Sequence, residues 1–103
     1  MDNTIVRDLF LAFVRVHILH HAAKGSIFGL EMIEELRRHG YTLSPGTLYP
    51  ILHGLERSGF LSSSGKVVGG KMRKYYRATA RGRRMLGEVK GKIDELVSEI
   101  LED

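Results

Sequence analysis

Apolar residues recur at helical spacing between residues 44 and 59. Four of them fall at i, i+3, i+4 and i+7 and form a single stripe: Leu48, Ile51, Leu52 and Leu55. Ser44 is placed to cap the free amides of a first turn, and Pro45 suits that turn because its missing N–H is not needed there. Gly59 fits the left-handed residue that ends many helices. The pattern therefore predicts a short helix that packs by one face.

The opposite face of this helix is polar. It carries hydrogen-bonding, aromatic and cationic groups, namely Gly46, Tyr49, Pro50, His53 and Arg57. A helix that reads a DNA groove must pack on its own domain by one face and present the other face to the DNA.

A longer helix is predicted first in the chain, over about residues 3 to 23. It has two apolar stripes, one that starts at Ile5 and one that starts at Val6. A small domain covers only one of these sides by itself, so the other side needs a partner. A very short strand is predicted next, at residues 26 and 27.

The second helix is predicted over about residues 28 to 39. Leu30, Ile33 and Leu36 are expected to face inward, with Met32 near the boundary. A compact turn joins this helix to the capped helix at residue 44, which is the arrangement of a helix-turn-helix.

After residue 59 the apolar period changes from helical to alternating. Residues 60 to 63 and 73 to 78 are predicted to be paired strands. Glycines interrupt the chain between them, at Gly65, Gly69 and Gly70. They predict a flexible tip near residues 66 to 71. Tyr75 and Tyr76 face opposite ways on the second strand, and Tyr76 is assigned to the core. The result is a hairpin with a basic tip, the wing of a winged helix.

The last helix is predicted over residues 79 to 101. Its apolar residues are spaced three and four apart, as in a heptad seam. Three internal glycines weaken it, so it needs packing from another helix. The uncovered side of the first helix in a second copy can supply that packing, which predicts a homodimer. The predicted dimer contact consists of Val6, Phe10, Leu86, Val89, Ile93, Leu96 and Ile100.

These elements predict a mostly α fold with a small β-hairpin, in one domain of residues 1–103. Residues 3–24 form an N-terminal helix for dimer contact, residues 26–78 a winged helix-turn-helix, and residues 79–103 a C-terminal dimerisation helix. The 43% hydrophobic content is that of a globular chain. No run approaches the ~20 apolar residues of a membrane span, and charges interrupt the first apolar stretch, so we expect a cytoplasmic protein without a membrane partner.

Charge is concentrated in the middle of the chain. Residues 37 to 92 hold 13 lysines or arginines against two acidic residues, although the whole chain carries only +4. This block coincides with the polar helix and the hairpin, which favours a polyanionic partner such as double-stranded DNA over a merely solvated surface.

Two motifs also resemble a known family. Residues 44 to 53 read Ser-Pro-Gly-Thr-Leu-Tyr-Pro-Ile-Leu-His and continue as Gly-Leu-Glu-Arg-Ser-Gly. Residues 73 to 79 read Arg-Lys-Tyr-Tyr-Arg-Ala-Thr, followed by Arg-Gly-Arg-Arg from residue 81. Together, at this spacing, they are similar to the PadR-like transcriptional regulators of the short class. The chain departs from that pattern at Gly54, where relatives often carry a basic residue, and at Ala78, where a larger aliphatic residue is usual. The resemblance implies a dimeric winged helix.

The predicted DNA contacts lie on the polar helix and on the wing. They are Ser44, Gly46, Thr47, Tyr49, His53, Arg57, Lys66, Lys71, Arg73 and Lys74. Gly46 permits close approach of the phosphate backbone to the helix start, and Arg57 is assigned to phosphate. Three alternatives stay open: Tyr49 packs beside Pro50, Arg57 pairs with an acid, or one of Arg73 and Lys74 is only a solvated edge charge.

PadR-like regulators often respond to small, frequently aromatic molecules held near the dimer interface, so the resemblance implies a small hydrophobic or aromatic effector. The candidate lining residues are Phe10, Phe13, Val14, Met85, Val89 and Ile93. The alternative is that these residues form a packed interface with no ligand.

Three histidines in the first helix are a candidate metal set. His17, His20 and His21 lie at i, i+3 and i+4, on one helix face. First-row metals usually need a further carboxylate or thiolate, the chain has no cysteine, and acids are scarce at that end of the helix. We therefore predict no metal site and no cofactor, with partly buried helix-end histidines instead.

The sequence favours a ligand-responsive repressor that binds a pseudo-palindromic operator as a homodimer. It contains no nucleophile–base pair, phosphate loop or metal-ligand set, so we expect no enzyme activity. The alternatives are a winged-helix module that binds protein rather than DNA, and a histidine-based metal sensor.

Overall fold

The computed structural model describes residues 4–102. Four helices and a small antiparallel sheet follow in the predicted order: α1 Thr4–Lys24, β1 Ile27–Phe28, α2 Gly29–Arg38, α3 Pro45–Arg57, β2 Leu61–Val68, β3 Lys71–Ala78 and α4 Ala80–Leu101. The predicted fold class, mostly α with a winged helix-turn-helix and a long C-terminal helix, is confirmed. Within residues 4–102, no helix has the length and hydropathy that a membrane span requires.

The ends of α3 are where the sequence predicts them. The Ser44 side chain accepts a hydrogen bond from the Thr47 amide at 3.3 Å, and Pro45 is the first helical residue. Gly59 has a φ of +82°, the left-handed conformation that suits glycine at a helix end. Local chemistry alone therefore fixes the length of α3.

One core holds the three N-terminal helices, the sheet and the start of α4 together. It is formed by Val14, Ile18, Leu19, Ala22, Met32, Leu36, Leu48, Leu52, Leu55, Leu61, Tyr76 and Leu86. The assignment of Tyr76 to this core is confirmed, because its side chain is fully buried.

The predicted inward face of α2 is partly wrong. Leu30 is 60% exposed, whereas Met32 is buried. The helix begins at Gly29, and its core-facing positions are Gly29, Met32 and Leu36, spaced three and four apart. Leu30 lies one position beyond Gly29 and so points about 100° away from that stripe.

The sheet has the strand order β1-β3-β2, with both pairs antiparallel. The hairpin is longer and more regular than predicted, since Lys66 pairs with Arg73 and Val68 with Lys71. The tip is therefore shorter than the predicted residues 66 to 71. Instead, Gly69 and Gly70, with φ of +57° and +77°, make a two-residue turn of the kind that matches strand twist.

Helix α4 is fastened at its start to the end of α3. The Thr79 side chain caps it by accepting from the Gly82 amide at 3.0 Å and donates to the Gly59 carbonyl at 2.6 Å. The helix then runs beside α1, and Leu86 is its one buried large side chain among the described residues. Farther along, the seam positions Leu96 and Ile100 are 50% and 60% exposed.

Candidate DNA-binding surface

Helix α3 presents its polar face to solvent. Ser44, Gly46, Thr47, His53 and Arg57 are all exposed, while Leu48 and Leu52 anchor the other face in the core. A Cβ added at Gly46 would meet only the Ser44 hydroxyl oxygen, at 3.7 Å. Packing within the chain therefore does not require glycine at this position.

Tyr49 is half-buried and lies against the start of α2. The phenol group of Tyr49 lies so close to Gly29 that a Cβ added at Gly29 would be only 2.3 Å from the phenol oxygen. The ring also lies 6.4 Å from that of His53, centroid to centroid. Tyr49 thus braces α3 against α2 and at the same time borders the exposed face.

Arg57 stands at the end of α3 and reaches back over Gly54. Its guanidinium lies 3.8 Å from where a Gly54 Cβ would be. It forms no salt bridge within the described part of the chain, so the alternative that it pairs with an acid finds no partner there. An unpaired cation therefore occupies the space above the position where the family often carries a basic residue.

The wing residues divide between the two faces of the hairpin. Lys66 and Arg73 are directly opposite each other and, with Lys71, share the face that points away from Tyr76. Two like charges side by side disfavour each other unless an anion neutralises them. The Arg73 guanidinium is also held 4.7 Å over the Phe28 ring.

Lys74 lies on the other face, toward α3. Its ammonium is 3.6 Å from the Glu56 carboxylate and 5.5 Å over the Tyr76 ring. The Ser63 hydroxyl donates to the same carboxylate and, together with Lys74, holds the pKa of Glu56 below its ordinary value. Glu56 thus connects the end of α3 to both strands of the wing, a role that sequence spacing did not indicate.

The predicted effector residues are only partly brought together. Phe13, Met85, Val89 and Ile93 line an open groove of about 370 Å³ between α1 and α4. Val14 is fully buried in the core instead, and Phe10 packs on Tyr41 with ring centroids 5.1 Å apart. Apolar side chains make up most of the groove lining, together with Glu88 and Lys92.

The residues predicted to form a dimer contact lie on α1 and α4. On α1, Val6 is 67% exposed and Leu9 is also exposed. On α4, the seam positions Leu96 and Ile100 are exposed to a similar extent. Phe10, Val89 and Ile93 are half-buried, and Leu86 is buried within the chain. The free ends of both helices therefore carry apolar side chains that the described residues leave uncovered.

The histidine cluster differs from the predicted set. His17 and His21 are joined by His39, at the end of α2, while His20 lies outside the group. The expectation that acids are scarce there is also wrong, since Glu35 lies 3.4 Å from His21. Burial lowers the pKa of both His17 and His21 below the ordinary value. The spacing of Glu35 and His39, one turn apart, was the available sequence signal.

Comparisons with known proteins agree with this geometry. The model of the family described as "Transcriptional regulator PadR-like family" matches residues 18–88. The transcriptional regulator Rv3488 of Mycobacterium tuberculosis is 50% identical over 96 residues, which cover 93% of this chain and 90% of that protein.

Solved structures share the fold. A PadR family transcriptional regulator from Eggerthella lenta is 31% identical, with a TM-score of 0.82 over 95% of this chain and 87% of that one. Bacillus subtilis PadR, solved in complex with operator DNA, is 22% identical with a TM-score of 0.67, over 74% of this chain and 44% of that one. With a family match over most of its length and a relative at half identity, the chain belongs to the PadR-like family, whose members are transcriptional regulators and not enzymes.

Proposed function

We propose that this protein is a ligand-responsive repressor that binds a pseudo-palindromic operator as a homodimer, with α3 in the major groove. The observation that carries the proposal is Gly46. It stands at the exposed start of a well-capped helix, yet no contact within residues 4–102 needs glycine there. Close approach of a DNA backbone to the first turn of α3 would explain the glycine at this position, because the start of a helix favours a bound phosphate.

The wing supplies the second contact. Lys66 and Arg73 form a cross-strand pair of like charges on the outer face of the hairpin, with Lys71 beside the turn. Such a pair is favourable only next to an anion, and a phosphate backbone or minor groove beside α3 provides one. Lys74, held by Glu56, positions the wing and contributes less directly to DNA affinity.

The dimer places two copies of α3 on one DNA molecule. The uncovered apolar ends of α1 and α4 need a partner, and a second copy offers the same surface with two-fold symmetry. Half-sites are then separated by about one helical turn of DNA. An apolar effector fits the groove lined by Phe13 and Ile93, next to that dimer contact, where its binding changes the separation of the two α3 helices.

The test is fluorescence anisotropy with DNA from upstream of the gene, against scrambled DNA, over a series of salt concentrations. We expect tight binding that prefers the native sequence and weakens steeply with salt. Equal, weak binding to both DNAs at physiological salt, and no preferred site in a random library, would contradict the proposal and favour a protein-binding module.

Three variants and one control sharpen this measurement. Gly46→Ala has space for its methyl group and improves helix propensity, so we expect unchanged or higher stability together with weaker DNA binding. Lys66→Ala and Arg73→Ala should each lower the salt slope by about 1. Lys90→Ala, which removes an exposed charge of α4 outside the predicted DNA contacts, is the matched control and should leave the slope unchanged.

A further inference from the structure

Four side chains with metal-ligating atoms meet on the flank of the molecule where α1 and α2 pack. Helix α1 contributes His17 and His21, and the end of α2 contributes Glu35 and His39. Each helix supplies a pair spaced by four residues, so both members of a pair project to the same side. Two such pairs that face each other can enclose one ion.

The distances suit a small transition-metal ion. One ligand atom from each of the three histidines lies within 4.8 Å of the others. The Glu35 Oε1 atom is 3.4 Å from His21 Nε2 and 3.3 Å from His39 Nε2. In a tetrahedral zinc site with bonds near 2.0–2.1 Å, neighbouring donor atoms are about 3.4 Å apart. The Glu35 oxygen is therefore already at coordination spacing from each of the two imidazoles.

The surroundings of the cluster hold these groups in place and leave it accessible. Arg38 pairs with the other oxygen of Glu35, which turns Oε1 toward the histidines. The His17 and His39 rings are stacked with centroids 4.8 Å apart, and Tyr41 contacts the edge of His17. His39 is exposed, so an ion has a path from solvent.

We propose that the protein binds one divalent ion of the zinc class per chain through His17, His21, His39 and Glu35. Three imidazoles and one carboxylate suit zinc, cobalt or nickel, whereas magnesium and calcium require oxygen ligands. The ion joins the end of α2 to α1. His39 immediately precedes the turn at Gly40 that leads to α3, so the bound ion also fixes the segment that enters the DNA-binding helix.

The experiment is isothermal titration of tag-free full-length chain with Zn²⁺, with Co²⁺ absorption as a second readout of ligand geometry. We expect one ion per chain in the wild type. His39→Gln and Glu35→Gln should each weaken binding at least about tenfold, the lower bound for loss of even a supporting contact. His20→Gln is the matched control, because His20 lies on α1 with His17 and His21 but outside the cluster, and this variant should bind Zn²⁺ like the wild type.

The measurements distinguish a loss of folding from a loss of metal binding. His39 is exposed, so its variant is expected to fold, and circular dichroism of the metal-free proteins checks this. Added Zn²⁺ should raise the melting temperature of the wild type and of His20→Gln, but not of His39→Gln. No binding by the wild type, or equal affinity in the His20 and His39 variants, would overturn the proposal. No DNA is used, so the result is independent of the operator-binding role.

Discussion

The phenol oxygen of Tyr49 occupies the space that a side chain on Gly29 would need. A Cβ at Gly29 would come within 2.3 Å of that oxygen and within 2.8 Å of the ring. Gly29 is the first residue of α2 and Tyr49 lies in the first half of α3, so the two helices of the helix-turn-helix approach through this contact. The position of α3, the proposed DNA-binding helix, depends on a glycine in the helix before it.

The first prediction follows from this contact. Gly29→Ala forces the Tyr49 ring out of its place, because the methyl group and the phenol cannot both fit. We expect the free energy of unfolding to fall by about 1–3 kcal/mol, the usual range for overpacking, and DNA binding to weaken as well. Chemical denaturation and anisotropy measure the two effects.

Gly25→Ala is the control for that substitution, since nothing lies within 4 Å of its added Cβ. Gly25→Ala should leave the free energy of unfolding and the DNA affinity close to those of the wild type. If Gly29→Ala matched Gly25→Ala in both, the Tyr49 ring would be free to move and the brace between α2 and α3 would be unimportant.

A second prediction concerns two glycines of α4 with opposite expected effects. A Cβ at Gly82 would lie 2.1 Å from the backbone oxygen of Phe60, whereas nothing lies within 4 Å at Gly91. Gly82→Ala should destabilise the protein by about 1–3 kcal/mol, because backbone cannot swing aside as a side chain does. Gly91→Ala, on the side of α4 away from the seam, should raise stability by up to about 1 kcal/mol. Thermal denaturation of both variants in parallel tests this prediction. A change of stability in the same direction for both variants would contradict it.

The third prediction is a pH dependence at Glu56. Ser63 and Lys74 hold the pKa of this carboxyl below its ordinary value, so the folded state favours the charged form. The resulting stability is present above the unfolded pKa, which is about 4.3 for glutamate, and is lost as the pH falls through the lower folded pKa. Glu56→Gln should therefore be less stable than the wild type at neutral pH, and the difference should shrink below about pH 4.

Denaturation midpoints of the two proteins across that range test this dependence. Glu95→Gln, an exposed carboxylate of α4 outside any salt bridge in residues 4–102, is the control and should track the wild type throughout. A gap between wild type and Glu56→Gln that stays constant with pH would show that the charge of Glu56 is not what stabilises the wing.

Elements with strong local signals could be predicted from the sequence, and contacts between elements could not. Ser44, Pro45 and Gly59 define α3 through hydrogen bonds and backbone preferences within a few residues of each other. Leu30 was assigned to the wrong face because a ten-residue helix fits more than one apolar stripe, and only packing against α1, α3 and β1 selects among them.

The candidate sites follow the same division. The polar face of α3 is local and was predicted, whereas the approach of Tyr49 to Gly29 depends on how two helices cross. His39 and Glu35 were missed as partners of His17 and His21 because they lie on another helix. The spacing within each helix was visible in the sequence, but the packing that brings the two pairs together was not.

The last prediction concerns the uncovered end of α4. Leu96 is 50% exposed on the same seam as Ile93 and Ile100, and the first turns of α1 add exposed Ile5 and Val6. If a second copy covers this surface, Leu96→Glu places a charge in an apolar contact and should weaken the dimer by more than about tenfold, or 1.4 kcal/mol. Sedimentation velocity across a dilution series measures the change. Ser98→Glu adds the same charge on the opposite side of the helix and should leave the dimer intact. A Leu96→Glu protein that sediments as two chains at the same concentrations as the wild type would place the dimer contact elsewhere.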